Sequence, residues 1–339
     1  VRSMADRPAI AGDRQHGGFR GLLTDRVRSG YPAEYLLTRL RGRRAKLVSN
    51  WKTLVYAPDL SGGLSALRYQ GFVRERTVEG MWRSLLLEHQ WVFRQMDERL
   101  RAVFAPYFVH AELRTLFISL RSLAGENDRK VPEVLSHSLL SGRVKAALNA
   151  EDAAAALHRT ETILCGISPR FAGIAALYER EGARAGEQEL TTRLFAAILE
   201  APLHPVIRQF FERLVDARNV LSLYALLRAG RDEPAVFMRG GAISLDRLRG
   251  ILEKGDIFSV LPVVKQASGV VIRDPEAVQV EVALYRGVTR FAKAEGRDPL
   301  GAGLILDYLW RCSLEVTNLG LLYAGKDLDR EMILAELVH

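Results

Sequence analysis

The chain has 339 residues, 48% of them apolar and 26% charged, which is the composition of a globular protein and not of a disordered one. Its net charge of +8 invites a nucleic-acid reading, yet residues 1–50 hold eleven Lys and Arg against four Asp and Glu, while the rest hold 37 against 36. Basicity therefore belongs to the front of the chain, and the body is nearly neutral.

No stretch approaches the roughly 18–20 uninterrupted apolar residues that cross a bilayer. Arg2, Arg7 and Arg14 precede no apolar segment, so no secretory leader is expected and the expected compartment is the cytoplasm. Cys165 and Cys312 lack CxxC spacing and a His cluster, which argues against a disulfide framework or a zinc site and for buried apolar fillers.

Residues 1–30 lack periodicity and are rich in Gly, Arg and Asp, including Gly17-Gly18, so they are expected to form a flexible basic arm. Beyond Tyr31-Pro32 apolar residues recur at three and four positions, as in Leu36, Leu40 and Leu47, which predicts helix. This first helix carries Arg39, Arg41, Arg43, Arg44 and Lys46, which cannot share one face; Arg43 and Arg44 fall close to the leucine line. They read either as a solvated face with stems lying over the core or as a docking surface for an acidic partner. Gly62-Gly63 and Gly240-Gly241 read as loop punctuation, and Ser244 as an N-cap for a helix over Leu245 to Leu252. Val270 to Ile272 is the best strand candidate, just before the helix-start signal Asp274-Pro275, and no alternation is long enough for a sheet.

A repeat of roughly 100 residues organises the rest. Three segments end alike: YFVHAELRTLFISLRSLAG (107–125), FERLVDARNVLSLYALLRAG (211–230) and LWRCSLEVTNLGLLYAG (309–325). Alignment places Glu112, Asp216 and Glu315 together, Thr115, Asn219 and Asn318 three residues on, and Leu116, Val220 and Leu319 next. Each copy finishes at a glycine, the residue favoured just past a helix C-terminus because it accepts positive φ. Glu79, Glu189 and Glu281 recur once per unit before these closing helices, which suits a repeated structural role. Asn318 sits on an apolar stripe with Leu314, Leu321 and Leu322, so it reads as a structural pin between helices, with a ligand contact as the alternative. The expected architecture is all-α: residues 31–128, 129–235 and 236–339 form three small helical domains in series.

The catalytic motifs do not hold up. Gly320 to Asp327 has GxxxxGK spacing, but an acid replaces the magnesium-binding hydroxyl and the segment continues an apolar helix. His110 and Glu112 form an HxE without the PCxxC partner of zinc deaminases. No catalytic residue, cofactor or metal ligand is expected.

The segment YPAEYLLTRLRGRRAKLV (31–48), the openings at Glu79 and Glu281, and the endings VDARNVLSLYALLRAG and LEVTNLGLLYAGKDLDREMILAELV resemble the family of C-type, or d-type, subunits of A-type and V-type rotary ATPases over residues 31–339. The resemblance implies a funnel of three pseudo-threefold-related helical domains. Such a funnel sits on the cytoplasmic end of the membrane rotor ring and receives the foot of the central shaft, peripheral to the membrane. It implies shaft and ring proteins as partners, proton or sodium transport linked to ATP, no catalytic site, and neither nucleic acid nor a small-molecule substrate. The sequence departs from the pattern at Glu112-Leu-Arg-Thr115, which lacks the Asn of the other endings, and in the arm before Tyr31. The alternative function is a basic helical module that binds nucleic acid or anionic membrane through residues 1–50.

Overall fold

The structure, a computed structural model, describes residues 17–24, 30–64, 77–125, 130–230 and 236–339. Arg2, Arg7, Arg14 and most of the expected basic arm lie outside the described residues.

Helix accounts for 74% of the described residues, so the expected all-α class holds. Val270 to Ile272 forms no strand, and the isolated pairing of Leu23 with Leu140 is the β-type contact among the described residues. Polar N-caps start the helices where the sequence offers them: Thr77, Ser141, Asp152, Ser244 and Asp329 each accept a backbone N–H in the first turn. Each cap satisfies one of the otherwise orphaned donors of a helix start.

The chain divides into two compact units, residues 1–27 with 98–186, and residues 28–97 with 187–339. These units and the three repeat domains of the sequence partition the chain differently, and the expected domain 31–128 contributes to both units.

The first unit contains α1 (Gly17–Arg20), α6 (Glu98–Leu123), α7 (Val131–Ser136), α8 (Gly142–Leu148), α9 (Ala153–Cys165) and α10 (Ile174–Glu181). Helix α6 packs on α1, α7, α8 and α9. Phe104, Phe108, Leu148 and Phe171 are fully buried there. Residues 17–24 correct the expectation of a free arm. Gly17-Gly18 opens α1, and Phe19, Leu22 and Leu23 are buried. Thr24 N donates to Leu139 O at 2.8 Å and Ser141 N to Leu22 O at 2.8 Å. Three apolar side chains supply the burial that the basic composition of the arm had obscured.

The second unit contains α2 (Ala33–Arg44), α3 (Trp51–Val55), α4 (Leu60–Leu64), α5 (Val78–Gln95), most of α11 (Ala183–Glu200), α12 (Pro205–Ala229), α13 (Leu245–Lys254), α14 (Leu261–Ser268), α15 (Ala277–Glu295), α16 (Ala302–Ala324) and α17 (Arg330–Glu336). Gly62 and Gly63 lie inside α4, not in a loop. Helix α16 packs on α15, α5, α2 and α12, and is buried along most of its length. Its neighbour α12 shares a core with α13, α14 and α15 through Val220, Leu223, Leu248, Val263 and Leu284. Leu36, Leu40 and Leu47 point into this unit. Cys312 is buried, whereas Cys165 in the first unit is half-exposed, so the expectation of two buried fillers holds for one.

Of the three terminal glycines, Gly125 and Gly230 have φ of +74° and +82°. Gly325 has φ of −90°, against the expectation. A side chain there would start 2.9 Å from Leu321 O, so it is crowding by the last turn that favours glycine at that end.

Candidate functional site: carboxylates that hold the loops beyond the closing helices

The aligned acids of the three closing helices make the same contact. On α6, Glu112 is buried; its Oε1 accepts from Leu139 N at 2.6 Å and its Oε2 from Ser138 Oγ at 2.8 Å. Two residues after Leu139, Ser141 caps α8. On α12, buried Asp216 accepts from Ala242 N at 3.1 Å and from Ile243 N at 3.0 Å, and the next residue, Ser244, caps α13. On α16, buried Glu315 accepts from Val48 N, and two residues later Asn50 caps α3 through Thr53 N at 3.1 Å.

Each acid thus fixes the backbone that enters a short helix. In the first two copies that helix follows along the chain. In the third the acceptor lies 267 residues from its donor, so the end of the chain holds its beginning.

A second tie accompanies the acid where asparagine follows it. Asn219 Nδ2 donates to Met238 O at 2.8 Å while Met238 N donates back to Asn219 Oδ1 at 2.8 Å. Asn318 repeats this with Val338, at 2.7 and 3.2 Å. An amide side chain carries its donor and its acceptor on separate atoms and so can pair with the C=O and the N–H of one residue at once, whereas threonine has a single hydroxyl oxygen for both. Thr115 instead turns its hydroxyl toward Glu112 of its own copy. Both amides are therefore engaged with backbone of the non-helical segments at Met238 and Val338.

Burial raises the carboxyl of Glu112, and the Leu139 N–H, the Ser138 and Thr115 hydroxyls and Lys145 act against that rise. Burial also raises Asp216, opposed by the Ile243 and Ala242 N–H groups and by Arg213. Donors in place of water let a buried carboxylate keep its hydrogen bonds. Gly241 belongs to this arrangement, because a Cβ there would lie 2.2 Å from Asp216 Oδ1.

Glu79, Glu189 and Glu281 are not brought into one kind of environment. Glu79 and Glu281 are exposed on α5 and α15. Glu189 on α11 is half-buried and accepts from Arg193 Nε at 2.7 Å, one turn along its own helix.

The arginines of α2 divide in two. Arg43 and Arg44 are 100° apart on the helix and fall along the face of the buried Leu36, Leu37 and Leu40. Arg43 donates to buried Glu88 of α5, at 2.8 Å through Nε, and Glu88 also accepts from Tyr308 of α16. Arg44 reaches Asp307 of α16 at 3.2 Å. Asp307 is fully buried; Arg311 lies 4.0 Å away, and neither carboxylate oxygen has a hydrogen bond. Burial raises its carboxyl, with Arg44, Arg311 and Lys293 pulling the other way. Arg39 and Arg41 are exposed; Arg39 lies over the rings of Tyr35 and Trp91, and Arg41 donates to Pro299 O at 2.8 Å.

Sequence reasoning found the acid and asparagine positions but missed their targets, and it missed Glu88, Asp307 and Tyr308 entirely. Asp307 and Tyr308 lie in a strongly apolar helix, where a buried acid is a signal of an internal pairing.

The family model for the ATP synthase (C/AC39) subunit matches residues 36–336. The chain belongs to this family. Over 156 residues it is 31% identical to the C-type subunit of the V-type ATP synthase of Thermus thermophilus, in each of two strains. That stretch covers 44% of this chain and 47% of the relative, so the chain spans about half the length of the curated relatives it matches. Among the described residues no group of His, Cys, Asp and Glu is placed to hold a metal ion, and no helix is long and apolar enough to cross a membrane.

Proposed function

We propose that this chain is the non-catalytic adaptor of the central stalk in a V/A-type rotary ATPase. In this role it couples the rotating shaft to the membrane rotor ring on the cytoplasmic face, for ATP-linked proton or sodium transport. Family membership over residues 36–336 supports the host complex. The observation that carries the adaptor role is the thrice-repeated carboxylate tie, whose third copy joins Glu315 to Val48. A repeat whose last member holds its first is suited to a closed threefold arrangement, and on this reading residues 31–128, 129–235 and 236–339 surround a funnel. An element that transmits torque must resist shear between its parts, and buried, directional bonds between helix and loop supply that stiffness where apolar packing alone permits sliding.

The alternative reading, residues 1–50 as a nucleic-acid or membrane module, draws on cations of which Arg2, Arg7, Arg14, Arg26 and Arg28 lie outside the described residues; among the described ones Arg20, Arg43 and Arg44 face carboxylates within the fold, and Arg39, Arg41 and Lys46 are exposed.

The test is assembly. The purified chain is mixed with the shaft proteins and the detergent-solubilised ring, and the mixture is separated by size. Co-migration with both is expected, and a chain that elutes alone from both overturns the proposal.

A further inference from the structure

Asp307 has more positive charge around it than it can match. Its Oδ2 faces two guanidinium groups, Arg44 of α2 at 3.2 Å and Arg311 at 4.0 Å, one turn along its own helix. Lys293, in the last turn of α15, is the third cation that acts on this carboxyl. The influence is mutual: desolvation lowers the Lys293 ammonium, Arg311 and Arg44 lower it further, and Asp307 opposes them. Among the described residues no other charge acts appreciably on either group. Three cations thus face one fully buried carboxylate, which leaves two positive charges unmatched. Arg43, beside Arg44, is already matched by Glu88. The C-terminal dipole of α15 adds about half a negative charge, which does not close the gap.

Hydrogen bonding is equally incomplete. Among the described residues Arg44, Lys293 and Arg311 have no hydrogen-bond acceptor, and neither oxygen of Asp307 has a donor. Other arginines of this unit do find acceptors: Arg43 on Glu88, Arg193 on Glu189, and Arg208 on the Leu199 and Ala201 carbonyls. The Arg44 and Arg311 side chains are 31% and 25% exposed and Lys293 is exposed, so unused N–H groups reach solvent while Asp307 lies beneath them. The buried carboxylate gathers the cations, and their outward donors are left for an acceptor that the chain does not supply.

We infer that Arg44, Lys293 and Arg311 form a binding site for a phosphate group, with Asp307 as the buried carboxylate that gathers them. A tetrahedral phosphate presents oxygens in several directions, which suits donors arriving from three helices, and its charge of about −1.5 to −2 near pH 7 fits the surplus. A carboxylate carries one charge and is best met by a single guanidinium fork. Bound here, the phosphate bridges α2 to α15 and α16 and so joins the front of the chain to its end. The inference goes beyond the stalk reading and does not depend on it, because every residue it uses lies in the second unit.

The full chain is titrated with inorganic phosphate by calorimetry at fixed ionic strength. It is also mixed with phosphatidylcholine vesicles with and without phosphatidic acid, whose headgroup is a phosphate monoester. Saturable uptake of phosphate by wild type is expected. Lys293→Gln is expected to weaken it about tenfold, and Lys293→Gln with Arg311→Gln about a hundredfold. Arg39→Gln with Lys46→Gln removes the same charge from exposed positions outside the cluster and is expected to change nothing. Circular dichroism verifies that each variant folds, and the single change at exposed Lys293 decides the matter if the double variant does not. Capture by phosphatidic acid that the cluster variants lose identifies a lipid as the source of the phosphate, whereas uptake without capture identifies free phosphate or a soluble ester. Neither uptake nor capture in wild type overturns the inference. Uptake that the cluster variants retain also overturns it, since it is then ionic screening only. A Glu-rich peptide that wild type binds and the cluster variants lose, without phosphate uptake or vesicle capture, overturns it in favour of a protein carboxylate.

Discussion

Asp216 shows what a buried acid does here. Its oxygens face two backbone N–H groups, and Gly241 leaves them the room. Asp216→Ala strands those donors and is expected to cost about 1–3 kcal/mol in urea unfolding. Gly241→Ala is expected to destabilise too, because its methyl would lie 2.2 Å from Asp216 Oδ1 and push the carboxylate off its donors. The sequence made Asp216 legible by its alignment with Glu112 and Glu315. It could show Gly240-Gly241 only as a break, because the reason for the glycine is a side chain on another element.

Asp307 behaves differently, since it has cations near it but no hydrogen bond. Its carboxyl is raised in the folded state. The folded chain therefore binds this proton more readily than the unfolded chain, and stability falls as pH rises from the ordinary carboxylate range through the raised value. Asp307→Asn removes that dependence. Melting curves of the two proteins from about pH 4 to 8 are expected to show the wild type losing ground to the variant as pH rises; a constant difference between them contradicts the assignment.

Among elements, α2 is the one whose role changed most between sequence and structure. Periodicity gave the helix and its leucine face, and the proximity of Arg43 and Arg44 to that face was visible. Their partners were not, since Glu88 lies 45 residues away and Asp307 lies on α16, beyond any local pattern. Arg43 is the stronger anchor by geometry. Arg43→Ala is expected to cost about 2 kcal/mol, less than the ~3–5 kcal/mol of a fully buried pair because the guanidinium is 29% exposed. Arg39→Ala is expected to change stability by no more than about 0.5 kcal/mol. Equal losses in urea unfolding would show that α2 is not held as described.

The first helix, α1, marks a different limit. Composition argued for a free arm, and the buried Phe19, Leu22 and Leu23 show that three apolar residues suffice when a groove awaits them. A short apolar cluster in a basic stretch carries no periodicity by which to recognise it.

At the scale of the molecule the repeat was readable because its closing helices share an acid, a small polar residue and an aliphatic at fixed offsets. That the third copy reaches back to Val48 was not, because no local rule links residues 267 apart. Glu315→Ala together with Asn318→Ala is expected to loosen the end of the chain and its beginning at once. Amide exchange is expected to quicken at Val48 and at Val338 together, since Val338 is held by Asn318. Acceleration at only one of them would separate the two ties. Stiffness of this kind matters to the proposed role, because a compliant adaptor would absorb rotation instead of transmitting it.

The most direct measurement of that role is ATP-driven ion uptake into vesicles that carry the rotary complex, assembled with and without this chain. ATP hydrolysis is expected in both, and ion uptake only when the chain is present. Uptake of equal rate without it would contradict the adaptor function.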